Sequence, residues 1–243
     1  MVTKVLSVGG SIIAPDQPDT TFLTKFLRMT TSWLNVSQDR RLILVAGGGA
    51  PARVYQTAYR KVCAGKGLLV AGLSKSTTQS ENTEADWIGV MATRLNAELL
   101  RACYGAIAFE KVITNPLEAP ADWQENVLVA AGWKPGFSSD NDAVLLAEKY
   151  GADTVVNLSN IAQVYTDDPK KNPDAEPLDR ITWADFRKMV GDEWTPGLNV
   201  PFDPVASQKA EALGLTVICA DGHDVDNTRA ILNGDSFIGT TIV

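Results

Sequence analysis

The stretch 127–147, VLVAAGWKPGFSSDNDAVLLA, reads as a strand, a turn and the start of a helix in one run. Val127 to Ala131 is short and apolar, and Gly132 and Gly136 then frame Lys134 and Pro135. Val144, Leu145 and Ala147 give the following helix a buried side. Ser139 and Asp142 have the spacing of a capping box, which predicts the helix start. Small hydroxyl residues at such a start leave backbone N–H groups facing outward. Either these are merely capped, or they receive an anion drawn by the N–H groups and the positive end of the helix.

The same pattern recurs upstream. Lys4 to Val8 predicts a strand ending in Gly9, Gly10 and Ser11, and Arg41 to Ala46 predicts another ending in Gly47, Gly48 and Gly49. Glycines there let a ligand approach the backbone, and successive N–H groups can form an anion nest. Pro51 suits the first turn of the next helix, so Arg53 falls near its N-terminal end, either as a surface charge or as a forked phosphate grip. Phe22, Phe26, Met29 and Trp33 recur at helical spacing and predict a core-facing helix over 22–34.

Further strands are predicted over 107–113, 127–131, 154–158 and 215–220, with helices over 183–190, 203–213 and 227–232, and the segment 192–200 reads as irregular. Residues 234–243 read as a last strand, at an edge or in a hairpin. The polar second half of 64–84 predicts an exposed loop, followed from Ala85 by a long helix in which Asp86, Thr93 and Asn96 interrupt the apolar face. These three either read hydroxyls or a base, or belong to the helix surface. Tyr165, Thr166 and the run Asp167 to Lys170 form a polar turn with an aromatic beside it, suited to a base and phosphates or to a solvated linker. Alternation of strands and helices predicts an α/β fold, a three-layer α/β/α sandwich around a mostly parallel sheet, in one domain. The glycine turns after residues 8, 46 and 131 would then gather at the carboxyl edge of the sheet, where such folds bind ligands.

Composition narrows the function. A net charge of -7 over 243 residues supplies no footprint for a nucleic-acid backbone. Cys63, Cys103 and Cys219 lack metal-ligand spacing, and their odd number argues against a disulfide framework. The single histidine, His223, leaves little for a histidine metal cluster, and no residues are assigned to a metal. No run approaches eighteen uncharged apolar residues, so no membrane segment is expected and the cytoplasm is the simplest location.

Dispersed blocks carry a resemblance: VGGSI at 8–12, VAGGGAPAR at 45–53, ADWIGVMATRLNAELL at 85–100, PGFSSD at 135–140, LLAE at 145–148, VYTDDPKK at 164–171, FDPVAS at 202–207 and GTTI at 239–242. The chain resembles the amino-acid kinase superfamily, and within it looks most like archaeal-type uridylate (UMP) kinases. That resemblance implies ATP with Mg²⁺ as cofactors, small-molecule nucleotides as partners and a homo-oligomer, hexameric in the family. It implies an acceptor-side lobe over about 1–160 and a nucleotide-side lobe over about 161–243. Gly9, Gly10 and Ser11 would approach the transferred phosphoryl group, and Asp140 would organise the transfer. Gly48, Gly49, Arg53, Asp86, Thr93, Asn96, Ser138 and Ser139 would serve the acceptor, with Arg53 on its phosphate and Asp86 on its ribose. Asn160, Tyr165, Asp168 and Lys170 would border ATP. The chain departs from the family pattern at Ser7, where bacterial members carry a lysine, at 160–163 (NIAQ), which lacks the usual Asp and Gly, and at Gln208, where a lysine is common. The resemblance also admits other phosphate or carboxylate kinases, a nucleotide-binding regulator, or a metal-oxyanion store on the same fold.

Overall fold

Successive residues of the central strands serve opposite faces of one sheet. Leu6, Val8, Leu42 and Leu44 belong to one buried cluster and Val5, Ile43, Val45 and Leu128 to another. A parallel sheet buried on both sides requires this continuous apolar run, because the two-residue period sends neighbours to different layers. The computed structural model describes residues 2–64, 78–169, 171–191 and 200–243. Among them β1 (Val2–Val8), β2 (Arg40–Ala46), β3 (Val127–Ala130), β4 (Thr154–Ser159), β7 (Arg180–Ile181), β8 (Thr216–Asp221) and β9 (Thr240–Ile242) form a sheet ordered β3-β2-β1-β4-β8-β9-β7. The first five in that order run parallel, and β9 is antiparallel to β8. β5 (Val164–Tyr165) and β6 (Pro177–Leu178) make a separate antiparallel ribbon.

One face is covered by α1 (Gly10–Ile13), α2 (Thr20–Leu34), α4 (Thr78–Tyr104) and α8 (Val225–Asn233), through Ile12, Phe26, Trp33, Leu100 and Ile231. The other is covered by α5 (Ser139–Tyr150), α6 (Trp183–Val190) and α7 (Pro204–Ala212), through Val144, Leu146, Phe186 and Ala206. α3 (Gly49–Ala64) packs against α4. This is the expected α/β/α sandwich.

Four expectations are corrected. α4 begins at Thr78, so residues 78–84 extend the helix instead of forming a loop, while 65–77 lie outside the described residues. The segment 107–113 is a short 3-10 turn and two isolated bridges, Ala108 to Val127 and Ile113 to Ala130. Glu110 and Lys111 between those bridges are exposed, and a charged bulge interrupts the pairing. β9 lies inside the sheet, because β7 adds beyond it and α8 separates it from β8 in the chain, so it is neither an edge nor a hairpin arm. Ser138, not Ser139, caps α5: its Oγ accepts from Asn141 N–H at 3.3 Å, and Ser139 is the first helical residue. The irregular stretch expected over 192–200 lies outside the described residues except Val200.

Candidate active site

Parallel pairing puts the ends of β1, β2, β3 and β4 at one edge, and two glycine turns meet there backbone to backbone. A Cβ on Gly10 would stand 1.9 Å from Gly49 N, and one on Gly47 would stand 2.3 Å from Gly10 N. Only hydrogen fits between these turns. Gly49 also holds a φ of 66°, which favours glycine. The Gly47 N–H donates to Val8 O and the Ala50 N–H to Ala14 O, whereas those of Gly10, Ser11, Gly48 and Gly49 have no hydrogen-bond acceptor among the described residues. A row of such N–H groups suits an anion.

The third turn is held by α4. Thr93 Oγ1 accepts from Gly132 N–H at 2.8 Å, Asp86 Oδ2 accepts from Gly136 N–H at 2.8 Å, and Arg94 Nη2 donates to Trp133 O at 2.9 Å. Asn96, buried on the same helix, donates to Gly47 O at 2.8 Å and Gly48 O at 3.2 Å. Asp86, Thr93 and Asn96 therefore brace the turns after β2 and β3 directly. Burial raises the Asp86 pKa, opposed by the Gly136 N–H and the Arg60 charge.

Beyond the turn lies a carboxylate cluster. The Ser7 hydroxyl donates to Asp140 Oδ1 at 3.0 Å, and the Asp203 N–H, at the start of α7, donates to Asp140 Oδ2 at 3.3 Å. Burial and then the Asp203 charge push Asp140 up to about 6, against those two hydrogen bonds. Burial pushes Asp142 up to about 7, opposed by the Trp133 N–H on its Oδ2. Burial raises Asp203 as well. Asp142 Oδ1, Asp203 Oδ2 and Asn141 Nδ2 are buried without a hydrogen-bond partner among the described residues. Among the described residues no group of three or more His, Cys, Asp or Glu is arranged to hold a metal. The arrangement suits Mg²⁺ that arrives on nucleotide phosphates and needs one protein carboxylate, as this ion commonly does.

The remaining expected residues are dispersed. Arg53 is exposed on α3, beside a shallow hollow lined also by Val54, Thr57, Ala58 and Lys61, with no side-chain hydrogen bond or ion pair among the described residues. Asn160 is an exposed bend residue after β4, and Tyr165 and Asp168 are partly buried in and after β5. Lys170 lies outside the described residues. Gln163, in the altered block, donates to Asp179 Oδ1 and Gly239 O, so its amide fastens the ribbon to the segment before β9.

Residues 2–221 match the model of the amino acid kinase family. The chain belongs to the amino acid kinase family. Relatives in this family include the uridylate kinase of Methanospirillum hungatei, 32% identical over 100% of this chain and 95% of the relative. That of Pyrococcus abyssi is 34% identical over 98% of each chain. The crystal structure of uridylate kinase from Archaeoglobus fulgidus superposes with a TM-score of 0.77, at 30% identity and full coverage of both chains. Kinase chemistry of the uridylate kinase type thus holds at the level of the family. No described helix is long and apolar enough to cross a membrane.

Reading the sequence missed three residues of this candidate site. Asp203 counted only as a helix opener, Asp142 only as a capping residue, and Arg94 not at all. The pair Asp140 and Asp142 inside one helical turn was the available signal, since two acids on a buried start are costly unless used.

Proposed function

We propose that the chain transfers the terminal phosphoryl group of ATP to UMP, giving UDP and ADP with Mg²⁺. The observation that carries this reading is the meeting of the Gly10 and Gly49 turns at the sheet edge where Ser7 reaches Asp140 of α5, in a chain similar over its whole length to uridylate kinases. Phosphoryl transfer asks mainly for alignment of anions and for donors around developing charge. The acceptor oxygen is already ionised, so no general base is needed.

In this reading Gly10 and Ser11 donate backbone N–H groups to the transferred phosphoryl group, Gly9 lines its approach with its own N–H given to Leu158 O, and Gly48, Gly49, Ser138, Ser139 and Arg53 face the acceptor. Asp140 would hold Mg²⁺, whose chemistry is to neutralise charge on the nucleotide phosphates. Asn160, Tyr165, Asp168 and Lys170 border ATP on a nucleotide-side lobe from about 161, opposite an acceptor-side lobe over about 1–160. The exposed Tyr55, Met91 and Leu95 on α3 and α4, around a hollow of about 430 Å³, support a homo-oligomer, hexameric by resemblance, because faces this apolar are usually covered. ADP release measured with UMP, CMP, dTMP, acetylglutamate, carbamate and isopentenyl phosphate tests the reading. Turnover confined to an acceptor other than UMP would sink it.

A further inference from the structure

The turn that α4 pins presents a lysine in an unusual setting. Lys134 Nζ lies 4.0 Å from the centroid of the Trp133 ring and 4.9 Å from that of Phe137, and the two rings are themselves 5.2 Å apart. Both faces attract an ammonium through the ring quadrupole, so the side chain is fixed where a surface lysine would wander. Its charge is unspent. No carboxylate lies within ion-pair distance of Nζ among the described residues. The backbone beneath is rigid as well, with the Gly132, Trp133 and Gly136 N–H groups held by Thr93, Asp142 and Asp86.

The charge balance around the turn gives this lysine a task. Asp142 accepts from the Trp133 N–H of this turn, with Asp140 and Asp203 next to it, and a phosphate arriving beside them meets repulsion unless a cation compensates. β1 offers Ser7 at that point, with its hydroxyl already given to Asp140. Arg94 is occupied by Gly132 O and Trp133 O. Among the described residues Lys134, four residues before the Ser138 cap, has no ion-pair partner, and Asn141 Nδ2, buried in the first turn of α5, has no hydrogen-bond partner.

We propose that Lys134, held against the rings of Trp133 and Phe137, binds the phosphate monoester of the acceptor. The inference rests on the phosphate-acceptor reading above but does not require that the acceptor be UMP. Phe137 and Trp133 act as positioning residues: their rings restrain the ammonium on the turn that leads into α5.

Calorimetric titration of the full chain with UMP, CMP, isopentenyl phosphate and inorganic phosphate, and separately with ATP, tests this in wild type, K134Q, K134R and F137L. K134Q should weaken the acceptor by about tenfold to a hundredfold, the range for a charge-assisted contact, and leave ATP within twofold. K134R should recover part of the loss, and F137L should show a smaller one. Steady-state rates should show the acceptor KM rising more than kcat falls. Acceptor affinity in K134Q within twofold of wild type overturns the inference, as does equal loss of ATP and acceptor. If wild type binds another phosphate in place of UMP and K134Q loses it, the UMP reading falls and the role of Lys134 stands. If wild type binds none of the four phosphates, both fall.

Discussion

The Ser7 hydroxyl donates to Asp140 Oδ1 at 3.0 Å, joining the end of the central strand to the first turn of α5. That bond holds the Asp140 pKa down against burial and the Asp203 charge. Ser7→Ala should therefore raise it and move the acid limb of the kcat pH profile upward. Rates measured from pH 5 to 8 check this; an unmoved limb would mean that Asp140 does not govern transfer. Asp140→Asn should leave ATP and UMP bound but slow turnover, because an interaction needed mainly in the transition state affects rate more than ground-state binding.

Arg53 offers a cleaner division between substrates. If its guanidinium meets the acceptor phosphate, Arg53→Ala should raise the UMP requirement about tenfold or more and leave ATP nearly unchanged. Arg53→Lys should restore only part, since lysine lacks the planar fork. Its exposed place on α3 makes a folding defect a poor explanation for any loss. Initial rates with each substrate varied separately give the answer, and equal losses for both substrates count against the acceptor role.

Asp142 couples stability to pH with a definite sign. Its folded pKa of about 7 stands above the ordinary 3.8, so the folded state holds more protons than the unfolded state between those values. Stability from this group is therefore lost as pH rises from about 4 to 7, and the cost is complete above 7. Asp142→Asn keeps an acceptor for the Trp133 N–H and removes the charge. Its Tm relative to wild type should accordingly climb between pH 5 and pH 8, by about 3 °C or more if the pH-dependent gain is about 1 kcal/mol. A constant difference across that range would place the charge elsewhere.

Two glycines should respond very differently to alanine. At Gly10 the new methyl would collide with the backbone of Gly48 and Gly49, which cannot yield without parting the turns. Gly136 has no atom of the described residues within 4 Å of such a methyl, and its φ of 82° is what opposes it. Gly136→Ala should cost about 1 kcal/mol, and Gly10→Ala considerably more, together with activity. Thermal melts of the two variants compare the effects directly.

What the sequence revealed was chiefly local. Strands alternating with helices were enough to predict the sandwich, and three glycine turns the sheet edge at which they gather, because periodicity and turn chemistry act over a few residues. The start of α4 was hidden, since Thr78 to Glu84 is polar and has no apolar period until tertiary packing decides it. Residues 107–113 looked like a strand by composition, and only the partner strand reveals the bulge at Glu110 and Lys111. The cap of α5 fell one residue from its expected place because Ser138 and Ser139 are chemically equivalent candidates. Asp203 was invisible as a partner of Asp140, as nothing local marks two residues 63 apart that share a hydrogen bond.

One helix fastens two turns from the same side: Asn96 ties α4 to the loop after β2, and Asp86, Thr93 and Arg94 tie it to the loop after β3. The two loops thereby share a single lever. Any sliding or tilting of α4 carries both of them together, so pressure on its outward Trp87, Met91 and Leu95 reaches the glycines and the lysine turn as one motion.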